Sequence, residues 1–196
     1  MFRTFSCSRR SLLKKTFSVL TAAAILPLLP RRAFASEGKK ALIVFYSWSG
    51  NTRALAGLIR QHLNADMTEV LPVTPYPSGY NDCVALAQKE KNENVFPALR
   101  PLSIDVSAYD VILVGSPNWW GTWAGPMRTF LRDNDFKGKT VLPFATHGGG
   151  GWQRMTADIA SLCPGARIGE GLSVYGSDAA RSSAQVERWL RRAELI

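Results

Sequence analysis

The sequence contains few of the residues that bind metals or form disulfides. It has two histidines and three cysteines in 196 residues, and they form no cluster with metal-ligand spacing. Cys83 and Cys163 are predicted to lie on the second and fourth helices, about 20 Å apart at roughly 10 Å per helix neighbour. This separation exceeds the roughly 7 Å limit on the Cα distance across a disulfide. We therefore expect both cysteines to be buried as small apolar side chains, with no bond between them.

Three catalytic sequence patterns are also absent. The chain has no Gly-x-Ser-x-Gly nucleophile turn, so the tract His147-Gly148-Gly149-Gly150-Gly151 is not the oxyanion hole of a lipase. The loop at residues 47–52 contains no lysine, which separates it from a Walker phosphate loop with its Gly-Lys-Ser/Thr sequence. The loop at residues 47–52 contains no cysteine, which excludes the nucleophile of a phosphotyrosine phosphatase.

The apolar stretch at residues 16–30 is too short to anchor the chain in a membrane. A helix over residues 16–29 would be about 21 Å long, whereas the hydrocarbon core of a bilayer is about 30 Å thick. The stretch precedes Arg31-Arg32 and the small-residue site Ala33-Phe34-Ala35. We expect residues 1–35 to be a cleavable export signal and residues 36–196 to be the mature domain. We expect no stable membrane insertion of the mature chain.

The basic tract before the apolar stretch favours export by the twin-arginine route over the general secretory route. Ser8-Arg9-Arg10-Ser11-Leu12-Leu13-Lys14 is close to the twin-arginine pattern, with Leu12 where phenylalanine is usual. That route accepts folded proteins, so a cofactor that is bound noncovalently in the cytoplasm would cross with the chain. We therefore expect the protein to be periplasmic or otherwise exported.

The excess positive charge is concentrated in this predicted signal. The whole sequence has 24 basic and 15 acidic residues and a net charge of +9. Residues 1–35 hold seven basic residues and no acidic one, which leaves the mature domain with 17 basic and 15 acidic residues, or +2. Because this balance gives no support to nucleic-acid binding, we expect no nucleic-acid partner.

The sequence does contain a pattern typical of a strand, a phosphate-binding loop and a helix. Residues 41–46 form a short apolar run, and leucine and isoleucine recur at helical spacing over residues 55–63. A helix that begins at Asn51 or Thr52 turns its unpaired N–H groups toward the preceding loop, where hydroxyl side chains add donors. The pattern favours a phosphate site, and the alternative is a helix cap without a ligand.

The rest of the chain alternates between predicted strands and helices. Further strands are predicted at residues 67–71, 111–114, 140–146 and 167–174. Helices are predicted at residues 80–92, from Pro126, around residues 152–162 and around residues 186–190. This alternation predicts an α/β domain with a doubly wound, five-stranded parallel sheet. Pro143 is unexpected inside a central strand, so either the pairing there is incomplete or the strand starts later.

Four tracts together resemble the flavodoxin family, in particular flavodoxin-like proteins whose second loop is Pro-x-Trp-Trp-Gly. The resemblance covers roughly residue 39 to the C-terminus and implies the strand order 2-1-3-4-5 with bound FMN. In that order the first, third and fourth strands are adjacent, so the loops that follow them converge on one edge of the sheet. The tracts are Ser47-Trp48-Ser49-Gly50-Asn51-Thr52, Gly115-Ser116-Pro117-Asn118-Trp119-Trp120-Gly121, Met127-Arg128-Thr129-Phe130-Leu131 and Pro143-Phe144-Ala145-Thr146-His147-Gly148-Gly149.

The resemblance also implies a set of residues that bind the FMN. These are Ser47, Trp48, Ser49, Gly50, Asn51, Thr52, Pro117, Asn118, Trp119, Trp120, Gly121, Thr146, His147, Gly148 and Gly149. The first loop would hold the phosphate, Trp119 or Trp120 would stack on the flavin ring, and the glycines after His147 would bring backbone amides to the ring edge. His147 either contacts the flavin or makes no functional contact, and we expect Trp123 and His62 to be structural.

The resemblance implies an electron carrier, and the predicted export signal places it outside the cytoplasm, where a redox partner protein or a membrane-linked donor would supply the electrons. One alternative is an FMN-dependent NAD(P)H or quinone oxidoreductase, and a second is a cofactor-free binding module on the same scaffold. Typical flavodoxins are strongly acidic, whereas the mature charge here is +2. We therefore expect the fully reduced flavin to form at a less negative potential than in an acidic flavodoxin.

Overall fold

The computed structural model describes residues 39–196, so the export signal predicted at residues 1–35 lies outside the described residues. The strands are β1 (Ala41–Phe45), β2 (Asp66–Glu69), β3 (Val111–Trp119), β4 (Thr122–Trp123), β5 (Thr140–His147), β6 (Arg167–Ile168) and β7 (Leu172–Tyr175). The helices are α1 (Asn51–His62), α2 (Tyr80–Asn92), α3 (Gly125–Asp133), α4 (Met155–Leu162) and α5 (Ser183–Arg192). No helix in this part of the chain is long and apolar enough to cross a membrane.

The strands form a central parallel sheet in the order β2-β1-β3-β5-β6, with β7 also paired to β5. This order confirms the predicted arrangement, because β5 is the fourth predicted strand and β6 with β7 is the fifth. The three central strands are buried over most of their length, as expected for a parallel sheet that helices cover on both faces.

The sheet separates two apolar layers. Alternate residues of β1 point to opposite faces, so Leu42 and Val44 belong to one layer and Ile43 and Phe45 to the other. Buried residues of α3 and α4 complete the first layer, and buried residues of α1 and α5 complete the second. The two layers fix the sheet between the helices, so the loops that follow the strands start from a rigid edge.

β3 continues five residues beyond the end of the strand predicted at residues 111–114. It enters an antiparallel hairpin with β4, in which Trp119 pairs with Thr122. The two turn residues, Trp120 and Gly121, both have left-handed backbones, with φ of 54° and 85°. Two left-handed residues in succession form the tight turn that suits the natural twist of a hairpin. Part of the predicted second loop is therefore a hairpin with a defined shape.

Pro143 lies opposite a gap in the sheet. On one side it pairs with Val114 of β3. On the other side, β6 pairs with residues 140–141 of β5 and β7 pairs with residues 144–147, so no residue is paired with Pro143. Of the two explanations for this proline, incomplete pairing is therefore correct. The predicted fifth strand is split into β6 and β7, and Gly169 in the interruption packs closely on Leu142, where a Cβ would lie 2.3 Å from Leu142 Cδ2.

Candidate functional site

Three chain reversals meet at the carboxyl edge of the sheet. The first, after β1, and the third, after β5, are joined by a hydrogen bond between Thr52 Oγ1 and Thr146 Oγ1 at 2.8 Å. The second, after β3, is joined to the third because Asn118 Nδ2 donates to the Gly151 carbonyl at 2.6 Å. The structure thus brings together the three loops that were predicted to converge.

The first loop presents unpaired donors. Gly50 has a left-handed backbone with φ of 89°, which turns the chain directly into α1. Within the described part of the chain, no backbone carbonyl accepts a hydrogen bond from the N–H groups of residues 47–53. Ser47 is buried, and its hydroxyl has no hydrogen-bond partner among the described residues. Buried hydroxyls are almost always paired, so this loop has the donors of an anion site.

A cavity of about 600 Å³ opens beside this loop. Its walls come from the three loops, from α2 and from the segment after β7. Among the described residues that line it, none is Lys, Arg, Asp or Glu. Its size falls within the range of small-molecule sites, and its neutral walls combine apolar side chains with a few polar groups.

Three indoles from two loops line this cavity. Trp48 packs against Tyr80 with 6.3 Å between ring centroids, and its Nε1–H donates to the Pro77 carbonyl at 2.9 Å. Trp119 is held from behind by aromatic side chains, and Trp120 is 43% exposed at the rim. Such flat apolar surfaces suit a planar ring.

Trp123 faces the protein interior, as predicted for a structural residue. It is 1% exposed and its Nε1–H donates to the Met155 carbonyl at 2.8 Å. His62 is also structural, as predicted, because its Nε2 is hydrogen-bonded to Ser183 Oγ at 2.9 Å and so ties α1 to α5. Arg53 makes a paired hydrogen bond with Glu69 at 2.8 and 3.0 Å, which directs its guanidinium to β2.

A partly buried polar pair, Tyr76 and Glu90, lies behind Trp119. The Tyr76 ring meets Trp119 edge-on at 4.9 Å, and its hydroxyl donates to the Glu90 carboxylate. Burial raises the pKa of Glu90, and the Tyr76 hydrogen bond and Arg128 only partly oppose this effect. Burial, together with the bond to Glu90, raises the pKa of Tyr76 well above its usual value. This unit therefore stays hydrogen-bonded beneath the aromatic wall.

The third loop is fixed by its own hydrogen bonds. The Gly149 N–H donates to His147 Nδ1 at 3.0 Å, which places the proton of a neutral His147 ring on Nε2. The Tyr175 hydroxyl donates to the Gly148 carbonyl at 2.9 Å. The His147 ring lines the cavity, so its Nε2–H is available to a ligand.

Most of the residues predicted for the site surround this cavity. Those that line it are Trp48, Ser49, Asn51, Pro117, Asn118, Trp119, Trp120, Thr146, His147 and Gly148. Ser47, Gly50, Thr52 and Gly149 are next in sequence to lining residues but do not line it themselves, and Gly121 lines an adjoining cavity. The structure therefore brings the predicted residues together, and their contacts with a cofactor stay a prediction.

Two walls of the cavity were not predicted from the sequence. α2 contributes four lining residues, Tyr80, Cys83, Val84 and Ala87. The end of β7 and the two residues that follow it contribute Tyr175, Gly176 and Ser177. No sequence signal marked these walls, because Tyr80 and Tyr175 are distant in sequence from the predicted loops; in the structure they are 70% and 48% exposed. Cys83 is buried as predicted, and burial raises the pKa of its thiol to about 11.

The described residues contain no group of three or more His, Cys, Asp or Glu side chains that could hold a metal ion.

Comparisons with known proteins agree with this geometry. The model of a protein family described as Flavodoxin matches residues 40–193 of the chain. A candidate flavoprotein from Bacteroides uniformis is 28% identical with a TM-score of 0.69, over 79% of this chain and 99% of its own. A second one, from Bacteroides eggerthii, is 26% identical with a TM-score of 0.69, over 79% of this chain and 97% of its own. A flavoprotein from Lactobacillus acidophilus, solved in complex with FMN, is 26% identical with a TM-score of 0.61, over 77% of this chain and 98% of its own.

Proposed function

The chain belongs to the flavodoxin family, and we propose that it binds FMN and transfers electrons through the flavin outside the cytoplasm. The similar flavoprotein from Lactobacillus acidophilus, solved with FMN, supports this choice of cofactor. When bound, FMN supplies one- and two-electron redox chemistry, and the protein supplies binding, orientation and electrostatics.

The residues present fit the phosphate of FMN. The observation that carries the proposal is the buried Ser47 hydroxyl, which has no partner among residues 39–196 and lies in a loop with unpaired N–H groups. A phosphate would accept hydrogen bonds from these donors and would be stabilised by the dipole of α1. The neighbouring carboxylate, Glu69, is held by Arg53 and so is partly neutralised.

The residues present also fit the flavin ring. Trp48, Trp119 and Trp120 would provide apolar surface for the ring, and the His147 Nε2–H would donate to one of its polar edge atoms. The Tyr76 contact behind Trp119 would hold that indole in place. The cavity therefore has a polar end and an aromatic end, as a mononucleotide requires.

The uncharged walls of the cavity favour a less negative potential for full reduction of the flavin than acidic walls would. Among the described lining residues there is no carboxylate to repel a negatively charged reduced flavin. We therefore expect redox titration of the FMN-loaded protein to give a less negative potential for full reduction than that of an acidic flavodoxin. An equal or more negative value would contradict this expectation.

The site of action is proposed from the sequence. The twin-arginine pattern at residues 8–14 supports export of a folded chain. FMN is made in the cytoplasm and held by loops that exist only in the folded state, so export after folding delivers the loaded protein. The donor would be a redox partner protein or a membrane-linked donor.

The proposal is tested by replacing Ser47. Ser47→Ala removes one donor to a charged phosphate, so we expect the FMN dissociation constant to rise about tenfold or more. The FMN-free variant should unfold at the same temperature as the parent or higher, because no hydrogen bond is lost. FMN titration monitored by flavin fluorescence measures the first quantity, and thermal unfolding measures the second.

Ser173→Ala is the matched control. The Ser173 hydroxyl is also buried without a partner in the described chain, but Ser173 lies on β7 and not in the loop at residues 47–53. We expect this variant to bind FMN as the parent does. Equal affinity in all three proteins would contradict the phosphate assignment, and no uptake of FMN by the parent would favour a cofactor-free binding module.

A further inference from the structure

The carboxylate of Glu90 lies behind the aromatic wall of the cavity proposed for FMN. Glu90 is partly buried on α2, and no residue of the described chain forms an ion pair with it. By contrast, the carboxylate of Glu69 is held by Arg53 at 2.8 Å. The charge of an ionised Glu90 is therefore not neutralised by a direct partner, so it acts on its surroundings.

Two aromatic rings connect Glu90 to the cavity. The Tyr76 hydroxyl donates to the carboxylate, and the Tyr76 ring meets Trp119 edge-on with 4.9 Å between ring centroids. Trp119 in turn lines the cavity. Tyr46, which is 4% exposed, packs against the same indole at 5.6 Å. Because side chains fill this space, the field of the carboxylate is screened less there than it would be in water.

The start of α3 packs against the same polar pair. A Cβ on Gly125 would lie 2.7 Å from Glu90 Oε2 and 2.5 Å from the Tyr76 hydroxyl oxygen, so the α3 backbone approaches both groups closely. The N-terminus of a helix favours a negatively charged carboxylate. The position of Glu90 is thus fixed by Tyr76 on one side and by the α3 backbone on the other, and both contacts favour its ionised form.

The other titratable groups that face Glu90 keep their charge between acid and neutral pH. Burial raises the pKa values of Tyr46 and Tyr76 above their usual range, and it raises the pKa of Cys83 on α2 to about 11. These three groups therefore stay uncharged. Arg128 of α3, whose charge acts on Glu90, stays protonated throughout. In this cluster, the charge that changes over that pH range is the charge of Glu90.

We propose that the Glu90 carboxylate makes the reduction potential of the bound FMN more negative through its charge. This inference rests on the proposed function, because it concerns the reduced cofactor. Full reduction at neutral pH adds two electrons from the donor and one proton from water, so the flavin ring gains one negative charge. An ionised Glu90 repels that charge across Trp119, whereas a protonated Glu90 does not. Glu90 thus adjusts the potential without contact with the cofactor.

The test is redox titration of the FMN-loaded parent and of Glu90→Gln, at neutral pH and in acid. Glutamine keeps an oxygen that accepts the Tyr76 hydroxyl and removes the charge. At neutral pH we expect the ratio of the affinities for reduced and oxidised FMN to rise about tenfold, which shifts the two-electron potential by about 30 mV to a more positive value. In acid, where the Glu90 carboxyl is protonated, the potentials of the two proteins should be equal.

Two further variants separate the effect of charge from the effect of packing. Tyr76→Phe keeps the ring against Trp119 and keeps the carboxylate, but it removes the hydrogen bond between them. Its potential at neutral pH should therefore not become more positive. Glu93→Gln is the matched control, because it removes one carboxylate that is exposed at the C-terminal end of α2. Water and salt screen this charge, so its removal should leave the potential unchanged.

Uptake of FMN is measured first, so that failure of the proposed function is recognised separately. Absence of uptake by the parent would refute the proposed function, and this inference with it. With FMN bound by all four proteins, equal potentials of the parent and Glu90→Gln at neutral pH would overturn the inference alone. It would also be overturned by an equal positive shift in Tyr76→Phe, or by a shift in Glu90→Gln that persists in acid, because packing and not charge would then be the cause.

Discussion

The two ends of the cavity are built differently. The phosphate end is one continuous segment, residues 47–53, whose donors are set by the turn into α1. The ring end is assembled from the β3–β4 hairpin, α2, the loop after β5 and the segment after β7. One end is thus defined by local backbone conformation, and the other by tertiary packing of distant segments.

This difference predicts which parts of the site tolerate substitution. Hydrogen bonds from backbone N–H groups depend on the conformation of a few residues, so a single change in the loop acts directly on phosphate binding. Aromatic surface is shared among several side chains, so loss of one ring leaves the others in place. We therefore expect larger effects at the phosphate end than at the ring end.

Comparing FMN with riboflavin, which lacks the phosphate, gives the largest expected effect. Loss of two charge-assisted hydrogen bonds of about 1.5 kcal/mol or more each should weaken binding at least about a hundredfold. Parallel titrations of the FMN-free protein monitored by flavin fluorescence provide the comparison. Equal affinities for the two ligands would show that the ring end alone determines binding and that the phosphate end contributes nothing.

Replacement of Trp120 tests the ring end. Its φ of 54° is a conformation that asparagine adopts more readily than tryptophan. We expect Trp120→Asn to stabilise the FMN-free protein by about 1 kcal/mol through relief of this strain. We also expect it to weaken FMN binding about tenfold through loss of the indole. Urea unfolding and FMN titration measure the two effects, and a decrease in both stability and affinity would contradict the turn assignment.

Replacement of two glycines by alanine distinguishes the effect of the turn conformation before α1 from the effect of helix propensity within α1. Gly50 has a φ of 89°, so Gly50→Ala should destabilise the protein by about 1 kcal/mol. Gly57 lies within α1 and a Cβ there would meet no atom within 4 Å, so Gly57→Ala should stabilise the protein by about 0.5–1 kcal/mol. Urea unfolding of both variants should give opposite signs. If both variants changed the free energy of unfolding in the same direction, the left-handed conformation of Gly50 would not be what constrains the turn before α1.

The smallest expected effect is the change in folding stability when Glu90, behind the ring end, is replaced. Because burial raises the pKa of this carboxyl in the folded state, its stabilising contribution is present at low pH and is lost as the pH rises through the raised pKa. Glu90→Gln should therefore raise stability slightly near neutral pH and have less effect in acid. Urea unfolding at both pH values provides the measurement.

Replacement of Glu187 is the control, because it should change folding stability at neutral pH in the opposite direction. The hydrogen bond from Arg191 lowers the pKa of Glu187, so its contribution is present above the usual carboxyl range and is lost in acid. Glu187→Gln should therefore lower stability slightly at neutral pH. If the two variants changed stability in the same direction, the burial argument for Glu90 would be wrong.

Local sequence determines the features that were predicted correctly. Asn51 begins α1 as predicted, because α1 carries clear apolar periodicity, and α2 spans Tyr80–Asn92 as predicted, because a proline- and glycine-rich turn precedes it. The parallel order of the strands followed from alternation and from the resemblance. The convergence of the three loops then followed from the order of the strands.

Tertiary contacts determine the features that were missed. Pro117 and Asn118 look like loop residues, yet they continue β3 because the hairpin with β4 extends it. Gly169 lies in the interruption of the last strand and packs on Leu142, a contact that no local pattern reveals. Tyr80 and Tyr175 are far from the predicted loops in sequence and reach the cavity only through the fold. Such contacts depend on distant residues, so a single sequence does not display them.

The split of the last strand also affects how the molecule behaves at high concentration. An edge strand with a long row of unpaired N–H and C=O groups is a template for pairing with a strand of another molecule. In the described chain, one edge is β2, with four residues that include Asp66 and Glu69, and the other is the interrupted pair β6 and β7. Neither edge presents a long, uncharged row, so intermolecular strand addition is disfavoured and the folded protein should resist fibril formation.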